Sequence, residues 1–122
     1  MIHQVITFLE EFKGNHDDLF HRVLEVGSRV AQGDEMKVRK IFFDAKEYLG
    51  TDMIDGKNVN QVVNGHDLIK TFGINSFDLV LCLETLEHDD EFWVTVENMK
   101  AVLKPNGWMV ISVPGVHCGV NK

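Results

Sequence analysis

Residues 76–88 read Ser76-Phe77-Asp78-Leu79-Val80-Leu81-Cys82-Leu83-Glu84-Thr85-Leu86-Glu87-His88. Within them, 77–83 is the most apolar run in the chain. Its apolarity is continuous rather than alternating, which a central strand covered on both faces requires. Downstream, 89–103 predicts a helix. Asp89, Asp90 and Glu91 suit its positive end, Lys100 and Lys104 its negative end, and Phe92, Val96, Met99 and Leu103 its buried stripe. Pro105-Asn106-Gly107 would stop that helix and turn the chain into a strand, Trp108 to Val113, closed by Pro114-Gly115. The tail 116–122 carries no clear pattern.

Upstream, the same alternation continues. Residues 2–13 place Ile2, Val5, Ile6, Leu9 and Phe12 on one helical face, stopping near Gly14-Asn15. Arg22-Val23-Leu24-Glu25-Val26-Gly27 is a short β-rich run ending at a glycine, followed by a loop over 28–33. Asp34 is the expected cap of a helix over about 35–42, with Met36, Ile41 and Phe42 as its apolar contacts. Glu47 to Asp52 predicts a second strand, and Val59 to Val63 a third that ends at Asn64-Gly65. Asp67 starts a short helix through Leu68, Ile69 and Phe72. Five strands alternating with helices imply a largely parallel sheet with helices on both faces. In such sheets ligands sit at the carboxyl ends of the strands.

Composition narrows the function classes. A chain of 122 residues suits one domain, and 44% apolar with 25% charged residues is ordinary for a soluble fold. The net charge of −7, with no run of Lys or Arg, argues against nucleic acid and against an anionic membrane surface. No apolar run reaches the length of a membrane span and no signal-peptide pattern opens the chain. The two cysteines, Cys82 and Cys118, then read as free thiols of a cytoplasmic protein. His117-Cys118 lacks partners at metal-ligand spacing, so no metal is expected. Trp93 and Trp108 read as core.

Four features fall at predicted strand ends: Glu25-Val26-Gly27, Asp52, Asn64-Gly65-His66-Asp67 and Leu83-Glu84. Singly, Gly27 is a turn glycine and Asp52 a cap or a solvated turn residue. In order and at adjacent strand tips, they line one crevice. A glycine there lets backbone approach a ligand, and an acid at the second tip can accept from two ribose hydroxyls.

These residues also carry a family resemblance. Val23-Leu24-Glu25-Val26-Gly27-Ser28 resembles the first motif of class I S-adenosylmethionine (SAM)-dependent methyltransferases, and Tyr48-Leu49-Gly50-Thr51-Asp52 the second. Val62 to Leu68 resembles the third, with Asn64-Gly65 where Asp-Ala is commoner. Ser76 to His88 is similar to the fourth, with the Glu-x-Leu-Glu-His ending of one subgroup, and Leu103 to Pro114 to the fifth. The resemblance covers about residues 22 to 115. It implies a three-layer Rossmann-like sandwich whose mainly parallel five-stranded sheet has the order 3-2-1-4-5, in a single domain over 1–122.

The resemblance further implies SAM as cofactor, S-adenosylhomocysteine as product, and a small-molecule or unidentified acceptor. Glu25 would hold the methionine amino group through water, Gly27 and Ser28 would line the methionine part, and the Leu83 carbonyl would lie near its amino group. Asp52 would take the ribose hydroxyls and Met53 would pack on adenine. Asn64 would meet the adenine amino edge, with Gly65 or His66 offering a backbone N–H. Glu84 and His88, and by location His66, are candidate bases. The family loop Gly-x-Gly-x-Gly has one glycine here, in Gly27-Ser28-Arg29-Val30-Ala31, and Arg29 could intrude or pair with the cofactor carboxylate. The alternative is a SAM-binding or interaction module without catalysis. The family's last two strands are not recognised after Val113. Unless the tail covers it, the fifth strand is then an apolar sheet edge that invites a homodimer or a strand-supplying partner.

Overall fold

Phe77–Leu83 forms a strand in which every residue but Asp78 is buried, as its unbroken apolar run requires. The computed structural model describes residues 3–16, 20–114 and 116–121, the last as backbone only. The elements are α1 (His3–Asn15), β1 (Arg22–Val26), α2 (Lys37–Ile41), β2 (Glu47–Asp52), β3 (Gln61–Val62), α3 (Leu68–Phe72), β4 (Phe77–Leu83), α4 (Phe92–Val102), β5 (Leu103–Val113) and β6 (Val116–Asn121). Short 3-10 turns occupy Gly65–Asp67 and Leu86–His88. The sheet order is β3-β2-β1-β4-β5-β6. The first five strands are parallel in the expected 3-2-1-4-5 order, and β6 returns antiparallel along β5.

Alternation along the strands divides the core in two. Val23, Leu79, Leu81, Leu83 and Val110 face α1 and α2, against Val5, Leu9, Phe12, Val38 and Phe42. Leu24, Val26, Val80, Cys82 and Met109 face α3 and α4, against Leu68, Met99 and Val102. At the starting ends of the strands, Arg22 N–H donates to Asp78 Oδ2 at 2.8 Å and its guanidinium to Glu47 Oε1 at 2.7 Å. That staple joins β1, β2 and β4 in register, so their far ends finish level.

Several expectations are corrected. β5 is not a bare edge: β6 pairs with it from Trp108↔Asn121 to Val113↔Val116, so the homodimer argument loses the edge it rested on. The chain therefore does not stop at its fifth strand. Asp34 caps no helix; α2 begins three residues later, after Met36, and no side chain caps it. The third strand shrinks to Gln61–Val62. The helix expected over 89–103 starts at Phe92, and its buried positions are Thr95, Asn98, Met99 and Val102. Phe92 and Trp93 stand about half exposed, at 49% and 54%. The 105–107 stretch bulges within β5 rather than ending the helix, since Phe77 pairs with Leu103 but Leu79 with Trp108. Ile2 and the side chains of His117 and Cys118 lie outside the described residues. Among the described residues no helix is long and apolar enough to cross a membrane.

Candidate functional site

The register brings the predicted strand ends together: Val26 lies opposite both Thr51 and Cys82, and Asp52 opposite Val62. Two adjoining cavities open there, of about 380 and 510 Å³, with Gly27, Asp52, Thr85 and His88 in both linings. The first is walled by Glu25, Ser28, Leu83 and Glu84. The second is walled by Met53, Ile54, Asn64, Gly65 and His66. A third cavity of about 350 Å³ lies on the other side of Glu25, against Met36, Val38 and Asn58.

Gly27 is the hinge of this arrangement. Its φ is +72°, and a Cβ there would lie 2.3 Å from Thr85 Oγ1 and 2.5 Å from Thr85 Cγ2. Only glycine combines that backbone with that contact. The Thr85 hydroxyl in turn donates to Leu83 O at 3.0 Å. Glu84 also has positive φ, +54°, and its N–H donates to Ser112 O at 2.7 Å, so the β4 tip is tied to β5 as it turns outward.

Beyond Gly27, hydrogen bonds to the 53–60 loop hold what further glycines could leave loose. The Ser28 hydroxyl donates to Asn58 O at 2.6 Å, and Asn58 Nδ2 returns a bond to Ser28 O at 2.9 Å. Val30 N–H donates to Lys57 O, and the Lys57 ammonium donates to Asp34 O. That last contact, with the turn closed by Asp34 N–H on Ala31 O, explains why Asp34 starts no helix. Asp52 is held by the same loops: Oδ2 accepts from Arg29 N–H at 3.1 Å and Oδ1 from Ile54 N–H at 3.0 Å. The Arg29 side chain runs over Gly56 to Asp55 O, so it lies along the loop.

Glu25 sits between the first and third cavities and is only 4% exposed. Its Oε1 accepts from the Tyr48 hydroxyl at 2.5 Å and from Asn58 Nδ2 at 3.4 Å. Burial pushes its carboxyl up to about 7, against the opposing pull of Tyr48, Asn58 and Arg39. Burial also pushes the Tyr48 phenol well above its ordinary value, with Glu25 adding to the rise, so Tyr48 remains a donor. Arg39 lies 4.6 Å over the Tyr48 ring and donates to Asn58 Oδ1 at 2.7 Å and to Asn60 Oδ1 at 2.5 Å.

The other half of the cleft is built differently. Asn64 Oδ1 accepts from His66 N–H at 2.9 Å and caps the 3-10 turn. His66 Nε2 lies 3.1 and 3.2 Å from the two oxygens of Asp89. Asp89 also accepts from the Thr95 hydroxyl at 2.6 Å and from Glu91 N–H at 2.9 Å. Burial would raise the Asp89 carboxyl, but the bonds from Thr95, Glu91 and His66 outweigh it and hold it below its ordinary value. Met53 and Ile54, 66% and 62% exposed, form the open apolar lip.

A glycine-hinged crevice across the tips of a 3-2-1-4-5 parallel sheet is matched in known proteins. The family model described as "Methyltransferase domain" matches residues 1–122. The chain belongs to this methyltransferase domain family. No curated protein matches it. Among solved structures it is similar to a SAM-dependent methyltransferase from Archaeoglobus fulgidus, with 16% identity, 87% of this chain and 52% of that one covered, and a TM-score of 0.61. It is similar to the PH0226 protein from Pyrococcus horikoshii, with 18% identity, 88% and 52% covered, and a TM-score of 0.68. It is also similar to the trans-methyltransferase CalH in complex with SAH, with 16% identity, 88% and 34% covered, and a TM-score of 0.60. The chain thus spans about half, or less, of the length of these structures, and the likeness is one of fold.

In this methyltransferase domain the residues singled out in the sequence meet at one cleft: Glu25, Gly27, Ser28, Asp52, Leu83, Glu84 and His88 around the first cavity, Met53, Asn64, Gly65 and His66 around the second. Two details differ from expectation. The His66 N–H is engaged by Asn64, leaving Gly65 as the backbone donor of the pair. Arg29 lines the first cavity, and its side chain is engaged there by Asp55 O. Sequence reasoning passed over Tyr48, Asn58, Arg39, Thr85 and Thr95, and read Asp89 only as a helix-end charge. Thr85 had a local signal, its place beside the β4 tip, and Thr95 lies six residues from its partner Asp89; Tyr48, Asn58 and Arg39 act through partners distant in sequence.

Proposed function

We propose that this domain binds SAM in the double cleft and transfers its methyl group to an acceptor. The observation that carries the reading is the convergence at one sheet edge of Gly27, whose missing Cβ leaves room at Thr85, with two carboxyls of unlike environment, Glu25 and Asp52. The donor set fits the cofactor. Glu25 offers a carboxyl to an ammonium, and Gly27, Ser28 and the Leu83 carbonyl line the methionine part. Asp52, fixed by two backbone N–H groups, offers lone pairs to a ribose diol. Met53 covers adenine, and Asn64 with Gly65 meets its polar edge.

When bound, SAM supplies an already activated sulfonium methyl, so the chain's own work is proximity and orientation, worth about 7–11 kcal/mol in well-aligned reactions. A base is needed only where the acceptor must lose a proton. Glu84 at the β4 tip and His88, whose side chain is 80% exposed, both line the first cavity and can take that proton. The net charge of −7 favours a neutral or cationic small molecule as acceptor over a nucleic acid.

The test is calorimetric titration of SAM and S-adenosylhomocysteine into the wild type and Asp52→Ala. Binding by the wild type and its loss in the variant are expected. A folded wild type that binds neither ligand would overturn the reading. Binding without transfer of radiolabelled methyl to cell extract would leave a SAM-binding module in place of an enzyme.

A further inference from the structure

We propose that Tyr48 is the positioning residue of the Glu25 end of the cleft: its hydroxyl holds one oxygen of the Glu25 carboxyl and leaves the other for a ligand ammonium, whose binding releases a proton from that buried carboxyl. This rests on the reading that the domain binds SAM.

The geometry is asymmetric about the carboxyl. Both hydrogen bonds to Glu25, from Tyr48 and Asn58, go to Oε1. No bond from the described residues reaches Oε2, and Glu25 lines the cleft. Anchoring one oxygen leaves the other for a ligand. Tyr48 cannot swing away, because Arg39 covers its ring at 4.6 Å while donating to Tyr48 O, Asn58 and Asn60. Phe42 flanks the ring at 6.4 Å.

The charged and titratable groups around Glu25 are Tyr48 and Asp52 from β2, Arg39 and Lys37 from α2, and Cys82 from β4. Arg29, Asp34 and Glu35 stand on the loop between β1 and α2, and Glu84 and His88 follow β4. Tyr48 stays protonated, and burial, with Glu25 next, pushes the Cys82 thiol to about 12, so neither exchanges a proton near neutrality. Glu25 itself does, with its midpoint near 7. Below that pH the empty site holds a carboxylic acid. An arriving ammonium requires the carboxylate, so the O–H bond at Glu25 breaks, its electron pair stays on oxygen, and the proton leaves to solvent.

S-adenosylhomocysteine carries the ammonium, whereas 5′-methylthioadenosine lacks the whole amino-acid portion. Titrated calorimetrically into the wild type, S-adenosylhomocysteine should tighten roughly fivefold from pH 6 to pH 7 and methylthioadenosine should stay flat. Tyr48→Phe keeps the ring beneath Arg39 and removes only the donor. It should weaken S-adenosylhomocysteine several-fold at pH 7, move its pH profile upward, and leave methylthioadenosine unchanged. Glu25→Gln should abolish the profile. Parallel pH profiles for the two ligands, or equal losses of both in a folded Tyr48→Phe, would overturn this proposal while leaving SAM binding intact. Failure of S-adenosylhomocysteine to bind the folded wild type would overturn both.

Discussion

The two halves of the cleft treat a carboxyl in opposite ways. Glu25 is buried at the end of β1 with two donors on one oxygen, and desolvation wins, lifting it to about 7. Asp89, on the loop before α4, receives donors from Thr95, Glu91 and His66 on both oxygens, and hydrogen bonding wins over burial. A carboxyl that is to change charge when a ligand arrives must be under-bonded while empty. One that only clamps two segments together is saturated. The first end is thus built to respond and the second to hold.

The largest effect should come from Gly27, one of the residues both halves share. Gly27→Ala places a Cβ 2.3 Å from Thr85 Oγ1 and forces a side chain into φ +72°. Strain and overpacking together should cost about 3 kcal/mol or more. Displacing Thr85 should abolish binding of both S-adenosylhomocysteine and methylthioadenosine, and chemical denaturation with titration of any folded fraction checks both. If methylthioadenosine alone still binds, the halves are more independent than their common wall suggests.

Next comes Glu25 itself. Its folded midpoint, near 7 against an ordinary 4.5, means the fold favours the protonated acid. That stabilisation, about 3 kcal/mol, is fully present below pH 4.5 and is lost as pH rises through 7. Thermal melts of the ligand-free wild type should therefore fall by roughly 10 °C between pH 5 and 8. Glu25→Gln, which keeps an acceptor for Tyr48, should remove that fall and be the more stable protein at pH 8. Equal slopes in the two proteins would contradict a responsive Glu25.

This contrast was only half legible in the sequence. β4 can be read to the residue because an apolar run of that length has one comfortable place, the middle of a sheet, and β2 is bounded by the charged Glu47 and Asp52 on either side of a short β-rich stretch. Once those strands are placed in order, their tips follow, and with them Gly27, Asp52, Asn64 and Glu84. Partnership is another matter. Tyr48 and Asn58 lie 23 and 33 residues from Glu25, and they meet it because β1 and β2 pair in register and the 53–60 loop folds back. No local pattern encodes that. The same override moved the start of α2 off Asp34 and gave the unpatterned tail a strand, since β5 supplied the edge for β6 to pair with. On α4 and at its end, Met99 and Leu103 are buried and Val96 packs on the core as the period expects, and Phe92 alone departs from the expected stripe. Thr95 and Asn98 take buried positions because each has a polar partner there, Asp89 for Thr95 and Ile69 N–H for Asn98, while Phe92 stays outside.

The smaller effects belong to the holding end and should carry the opposite pH sign. Asp89→Asn removes a carboxylate accepting from three groups and should cost about 1–2 kcal/mol at pH 7. Because the Asp89 carboxyl is held below its ordinary value, its contribution is present above the unfolded-state midpoint and disappears as pH falls through the folded one. Denaturation curves of variant and wild type should converge in acid, where those of Glu25→Gln and wild type differ least as well, but should diverge at neutrality in the reverse order of stability. Thr95→Val is the finest probe. It keeps the shape against Gly65, where a Cβ would meet Thr95 Cγ2 at 2.9 Å, and deletes only the hydroxyl bond to Asp89. A loss of about 0.5–1 kcal/mol is expected. Methylthioadenosine should weaken slightly, and the pH profile of S-adenosylhomocysteine should keep its midpoint, because Thr95 touches the clamp and not Glu25. A shifted midpoint in Thr95→Val would mean that the clamp sets the charge of the responsive end, and that the two carboxyls work as one.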